Sequence, residues 1–269
     1  MFLEKFGVPA FAGTEELFAS TNVDLVALAV PTALHYDTFC AIEQHPWRFL
    51  LCEKPLAQNL DDAHVMVTRT ATSGRKIAVN YMRRTEPGAN TVRTVIRDGT
   101  LGEVYKGTVW YTKGLLNNGS HFVDLLTHWL GEVRDVRVLS DGRAWSGIDP
   151  EPDVRILFGT TEVYFLSGRE ERFNLADIEL LGTEGKILYG NSGREILHWK
   201  RCPDPANPGF TPLTEVPVTI PSDADRFQFH VLEEVAKVLD GDLPESSSNG
   251  QTALRTLETV LGAFAQRRS

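Results

Sequence analysis

A chain of 269 residues with 42% hydrophobic side chains can bury a substantial core and is long enough for one large or two ordinary domains. Its 27 basic and 36 acidic side chains leave a formal charge of -9, which argues against a surface that tracks a nucleic-acid backbone or lies on anionic lipid. Three cysteines, Cys40, Cys52 and Cys202, lack the paired spacings of a zinc site or a disulfide framework, and no apolar run is long enough to cross a bilayer, so the expectation is a soluble, cytoplasmic protein.

The segment "VDLVALAV" (23–30) is apolar on successive residues, as in a strand buried on both faces of a parallel sheet. Pro31 ends it. A helix over 33–45 leads to a second strand of the same kind, "WRFLLC" (47–52), which completes a βαβ unit. Another helix is expected over 60–73, capped by Asn59 or Asp61 and stopped by Gly74, followed by the strand "KIAVN" (76–80). Strands alternating with helices predict a parallel, doubly wound sheet that places ligands at the carboxyl ends of its strands.

The pattern changes beyond "RRTEPG" (83–88). After a helix over 89–98 and a turn over 99–102, "EVYKGTVWY" (103–111) mixes aromatic and β-branched residues as antiparallel strands do. "VRVLSDGRAW", "DVRILFGTTEVYFLSG" and "ADIELLGTEGKILYG" read as strands and hairpins, with turns at Gly142, 159–161 and 182–185. A proline-rich loop covers 202–212. Two helices, at about 223–239 and 251–266, close the chain around the polar connector "DGDLPESSSNG", and there is no internal repeat.

Two polar clusters stand out. In "FLLCEKPLAQ" (49–58) a buried strand ends in Glu53 and Lys54, beside "PTALH" (31–35) at the end of the neighbouring strand, so polar groups of two strands meet at one edge. In "GLLNNGSHFVDLLTHWLG" (114–131) a helix would put His121, Asp124 and His128 on one face. Taken alone, these three read as core or salt-bridged residues. A metal hydrolase has the right helical spacing but lacks further ligands, so no metal is expected.

The pieces "VDLVALAVPTALHYD", "CEKPLA", "RRTEPGANTVRTVIRDGTLGEV" and "NNGSHFVDLLTHWLG", in this order and spacing, resemble the glucose-fructose oxidoreductase and inositol dehydrogenase family of NAD(P)-dependent sugar oxidoreductases. The resemblance implies a Rossmann-like α/β part (1–84), followed by an α+β part (85–269) with a large, mainly antiparallel open sheet. The closing helices would pack back on the first part. It also implies hydride transfer between a sugar, amino sugar or polyol carbon and NAD or NADP, and a homo-oligomer formed through the second-domain sheet.

Residue by residue, the resemblance assigns Lys54 to polarising the reacting oxygen and His121 to taking its proton. Asn117, where many members carry an aspartate, can orient a hydroxyl but cannot accept its proton. Pro31, Thr32, His35, Glu53 and Lys54 would contact the nicotinamide half of the cofactor. Tyr81, Arg83, Arg84, Asn117 and Asp124 are the candidate substrate contacts, although the two arginines read equally well as partners of interdomain carboxylates. Cys52 reads as a small strand residue.

No G-x-G-x-x-G turn occurs in the sequence, and too few residues precede Val23 for two strands and a crossover helix. The expectation is a chain lacking the first βαβ portion of the Rossmann domain, with weakened cofactor binding and no residue to choose NAD over NADP. A catalytically inactive or split relative, acting as a sugar-binding or scaffold protein, is the alternative.

Overall fold

The structure is a computed structural model that describes residues 5–147 and 149–267. A short helix α1 (Thr14–Ser20) precedes a three-stranded parallel sheet, in the order β1 (Leu25–Leu28), β2 (Phe49–Cys52), β3 (Lys76–Val79). The helices α2 (His35–Ile42) and α3 (Leu60–Thr72) form the crossovers. Asn59 caps α3 by accepting from the Asp62 backbone N–H at 2.9 Å, which satisfies one of the donors left open at a helix start. β1 is an edge strand, as its partly exposed side chains reflect, whereas every residue of β2 is buried.

Pro87 opens α4 (Pro87–Arg97), where it gives up no hydrogen bond, and the buried Glu86 carboxylate caps it through the Gly88 and Ala89 N–H groups at 2.9 and 2.6 Å. A large mixed, mainly antiparallel sheet follows, in the order β11-β10-β9-β8-β4-β7-β6-β5. Its strands are β4 (Val104–Tyr111), β5 (Val133–Ser146), β6 (Asp149–Phe158), β7 (Thr161–Ser167), β8 (Ala176–Gly182), β9 (Gly185–Gly190), β10 (Glu195–Lys200) and β11 (Val218–Thr219). Only the central β4–β7 pair is parallel. Alternate residues such as Val163, Phe165, Ile178, Leu180 and Ile187 face the core, which they share with Phe122, Leu125 and Leu126 of α5 (Ser120–Leu130).

The closing helices join the two sheets. α6 (Phe227–Asp240) lays Val231, Val235 and Val238 against Phe49, Leu51 and Ala78 of the parallel sheet. α7 (Gly250–Ala265) contributes Ala253, Leu254, Leu257 and Val260 to the main core, and Asn249, which caps it, forms a bridge to Ala78 of β3.

One local expectation needs correction, and other elements were not expected from the sequence. Gly142 is not a hairpin turn: β5 runs through it, and the chain reverses only after Ser146. Its φ of 64° serves a bulge opposite β6, where a Cβ would run into the carbonyl of Glu151. The strands β10 and β11 were not anticipated, because "EILHWK" and the two residues of β11 become strands only by pairing. The helix expected to carry His121, Asp124 and His128 forms as α5, and a π-helical turn, Gly114–Gly119, leads into it. Among the described residues no helix is long and apolar enough to cross a membrane.

Candidate active site

The end of β2 is held from both sides. The Glu53 N–H donates to the Leu28 carbonyl of β1 at 2.9 Å, and the Cys52 carbonyl accepts from the Asn80 N–H just past β3 at 2.8 Å. A cis Lys54–Pro55 bond follows. The Glu53 carboxylate accepts from the Asn80 side chain at 2.7 Å, so its position at the sheet edge is fixed. Lys54 reaches across to the second sheet's helix, and its ammonium donates to the Asn117 carbonyl at 2.8 Å and to Asn117 Oδ1 at 2.6 Å.

Asn117 sits in the π-helical turn, and two carboxylates of β6 hold that turn in place. Asp149 accepts from the Leu116 and Asn117 N–H groups at 2.9 and 2.8 Å, and Glu151 accepts from the Lys113 and Gly114 N–H groups at 2.8 and 3.3 Å. Gly114, at φ 79°, lies against the Asp149 carboxyl where any Cβ would overlap it. Burial pushes the Asp149 carboxyl up to about 6, opposed by those two N–H groups and by Lys54. Neither acid was singled out from the sequence. "DPEPD" is an unusual strand start, but nothing local says that its acids point at a turn more than thirty residues upstream.

One turn past Asn117, His121 is buried, with the Tyr81 ring edge-on at 5.5 Å and its own Nδ1 without a hydrogen-bond partner. Burial first, then Arg83 and Lys54, hold the imidazole well below its usual pKa of 6.5, so it is neutral at neutral pH. Burial likewise lowers Lys54, and Glu53 opposes the shift. Lys54 and Asn117 therefore come together, with two of the lysine's three N–H groups on Asn117, and the neutral imidazole of His121, within the field of Lys54, follows one turn on.

The other expected residues divide. Arg84 and Asp124, expected at the substrate, are instead buried against each other: Arg84 Nε donates to Asp124 Oδ2 at 2.6 Å, and Nη2 donates to the Asp124 carbonyl at 3.0 Å. Arg84 Nη1 reaches the Ser247 carbonyl at 3.0 Å, and His128 Nδ1 lies 3.4 Å from it. That guanidinium occupies the face where a metal would have to sit. Among the described residues no group of three or more His, Cys, Asp or Glu side chains could hold a metal ion.

Tyr81 is buried beside His121. His35 is fully buried with Nδ1 3.1 Å from the Leu56 carbonyl and Nε2 3.0 Å from that of Val30, so it ties together the loops that follow β1 and β2. Pro31 is exposed and Thr32 half-buried at the open side of this edge. Cys52 is buried with its thiol pushed up by burial, which leaves it unreactive.

A polar cleft of about 580 Å³ opens from Lys54 and Asn117 toward the ends of β4, β8 and β9. Lys113, Asn174, Asn191, Ser192 and Arg194 line it, and the sequence reading singled out none of them.

Residues 1–81 match the family model described as an oxidoreductase family with an NAD-binding Rossmann fold, covering glucose-fructose oxidoreductase, inositol dehydrogenase and MocA. That match covers the first 81 of the 269 residues, so the likeness in sequence is to the NAD-binding part of that family. Inositol 2-dehydrogenase of Rhodococcus jostii is 36% identical over 90 residues, which cover 33% of this chain and 24% of that relative. The match thus spans about a quarter of the curated relative's length. Among solved structures, an NAD-binding oxidoreductase from Klebsiella pneumoniae has a TM-score of 0.81 at 17% identity, over 99% of this chain and 85% of that one. The WlbA dehydrogenase from Bordetella pertussis, solved with NADH and UDP-GlcNAcA, has a TM-score of 0.78 at 20% identity over 99% of this chain and 84% of that one. Both share the fold.

Proposed function

We propose that this chain acts as an NAD(P)-dependent oxidoreductase on a hydroxyl-bearing carbon of a sugar, amino sugar or polyol. The observation that carries the reading is the meeting of Lys54 and Asn117 across two sheets, through the bonds of Lys54 Nζ to Asn117 at 2.6 and 2.8 Å, with His121 one helical turn past Asn117. In the oxidative direction His121 accepts the hydroxyl proton. Lys54 stabilises the negative charge that grows on the oxygen, and Asn117 orients the hydroxyl. The nicotinamide, when bound, supplies acceptance of the hydride released from the carbon.

The residues present fit one half of that cofactor. Pro31 and Thr32 stand open at the end of β1, and Glu53 and Lys54 end β2 at the same edge, where a nicotinamide would lie. The 269 residues contain no G-x-G-x-x-G turn, so this fit does not extend to the pyrophosphate. On this reading residues 1–84 face the cofactor and residues 85–269 form the substrate wall. The outward face of the large sheet, which carries Trp110 and Tyr105 beside ion pairs such as Lys106–Glu162, meets a second copy of the chain.

Isothermal titration of the full chain with NADH and NADPH tests the reading, with micromolar binding of either expected. A panel of sugars and polyols followed by nicotinamide absorbance then finds the reaction. His121→Ala should lower turnover by about 10²–10⁴-fold while the chain still binds cofactor. A chain that binds neither nucleotide, or a His121→Ala variant with unchanged turnover, overturns it.

A further inference from the structure

We propose that the cleft beside Lys54 binds an anionic sugar, one that carries a carboxylate or a phosphate, with Ser192 and Lys113 meeting the anionic group and Arg83 backing Ser192 from behind. This inference rests on the reading of the site as an oxidoreductase centre and names the class of its substrate.

The first observation is a buried cation without a counter-ion. Arg83 is only 3% exposed, and among the described residues it has no ion-pair partner. Its Nη2 donates to Ser192 Oγ at 2.7 Å, while Nε and Nη1 have no hydrogen-bond partner. Besides Ser192, its company is neutral: the Tyr189 hydroxyl, which supports its charge, and the rings of Phe122 and Phe227 at 5.0 and 5.7 Å from the guanidinium. Two aromatic faces and two neutral hydroxyls compensate only part of the cost of burying such a charge. Ser192 converts that charge into a site: its oxygen accepts from Arg83, which leaves its own O–H to donate, and Ser192 lines the cleft.

The second observation is independent of charge. The described residues include three non-glycine positions with positive φ: Lys113 at 67°, Asn191 at 50° and Ser192 at 59°. All three line this one cleft. Backbone held in a sparsely populated region collects at ligand clamps, where a particular side-chain direction is worth the strain.

The lining itself fixes the chemistry. Lys54, Lys113 and Arg194 are set against a single acid, Asp177, in a chain whose formal charge is -9. Arg194 pairs with Asp225 at 2.8 Å and Asp177 accepts from the Asn191 N–H at 2.6 Å, so Lys113 and the Arg83–Ser192 pair are the groups left for a ligand. Asn117, Asn118, Asn174 and Asn191 make up much of the remaining wall, as donors and acceptors suited to ring hydroxyls.

The test is calorimetric titration of the full chain with D-glucuronate, glucose 6-phosphate and glucose, each at about 0.05 and 0.5 M salt. At least one anionic sugar should bind about tenfold more tightly than glucose or better, with the margin shrinking at the higher salt. Which of the two binds distinguishes carboxylate from phosphate. Ser192→Gly and Lys113→Asn, both tolerant of positive φ, should each cut the anionic affinity by about fivefold or more and lower glucose affinity by less, so that the anionic preference shrinks. Equal affinity for the three sugars, no binding of any, or a preference insensitive to both variants overturns the proposal. NADH titrated in parallel separates the two readings: loss of nucleotide binding with the anionic preference intact counts against the oxidoreductase and not against the anion site.

Discussion

Replacing Arg84 with Met isolates the buried pair that the structure puts where a substrate contact was expected. Arg84 and Asp124 side chains are 4% and 1% exposed. The change strips the Asp124 carboxylate and the carbonyls of Asp124 and Ser247 of their guanidinium donor, and leaves Asp124 only Thr256 Oγ1 at 3.4 Å. Removing one partner of a buried ion pair costs about 3–5 kcal/mol, a fall in Tm of roughly 6–20 °C for a chain of this size. The cost depends on pH with a definite sign. Burial already raises the Asp124 carboxyl and Arg84 opposes that rise, so without Arg84 the folded state takes up a proton that the unfolded state lacks. The variant is therefore closest to the parent below the unfolded pKa of about 3.8–3.9 and falls further behind as pH rises through the raised folded value. Asp124→Asn combined with Arg84→Met removes both charges and should recover about 1 kcal/mol or more of the summed single losses. Urea unfolding followed by circular dichroism at pH 5 and pH 8 measures each quantity. A loss under about 1 kcal/mol for Arg84→Met, or a double variant no better than the sum of the singles, refutes the structural role of the pair.

His121, held below its usual pKa by burial and two cations, should show no titration of its imidazole proton signals between pH 6 and 8; a midpoint near 6.5 in an NMR titration contradicts the buried geometry. Asn117→Asp places a carboxylate where Oδ1 now accepts from Lys54 at 2.6 Å, which should raise the Lys54 pKa and move any alkaline limb of turnover up by about one unit or more; a downward move counts against the contact. Gly142→Ala forces a side chain into left-handed backbone against the Glu151 carbonyl and should lose about 2 kcal/mol or more by urea denaturation, whereas a true hairpin turn at that glycine would tolerate the change better. Asn249→Ala removes the acceptor of the Thr252 N–H at 3.0 Å and should cost about 1 kcal/mol by the same measurement, with unchanged stability as the opposing result.

The first sheet was legible because its signals are local. Buried parallel strands such as "FLLC" are continuous apolar runs, and Asn59 marks the start of α3 within one residue of its apolar pattern. The pairing of Arg84 with Asp124, forty residues apart, carries no such signal. Either residue alone looks like a free charge near a site, and only the approach of α5 to residues 82–85 turns them into partners. The same holds for Gly142, whose positive φ was foreseeable while the reason for it lies on the neighbouring strand.

The sequence by itself determined which residues end the parallel strands and which helix carries His121, because strand and helix periodicities are set by neighbours along the chain. It placed Lys54 and Asn117 in separate motifs. Tertiary structure decided that they bond, since Asp149 and Glu151 of β6 hold the turn that brings Asn117 within 2.6 Å of the lysine. It also assembled the polar cleft around Lys113, Asn191 and Ser192, three residues with left-handed backbone that lie far apart in the chain or at the end of a strand. Contacts of this kind depend on sheet order and helix docking, which arise from burial of the shared core and not from any local pattern.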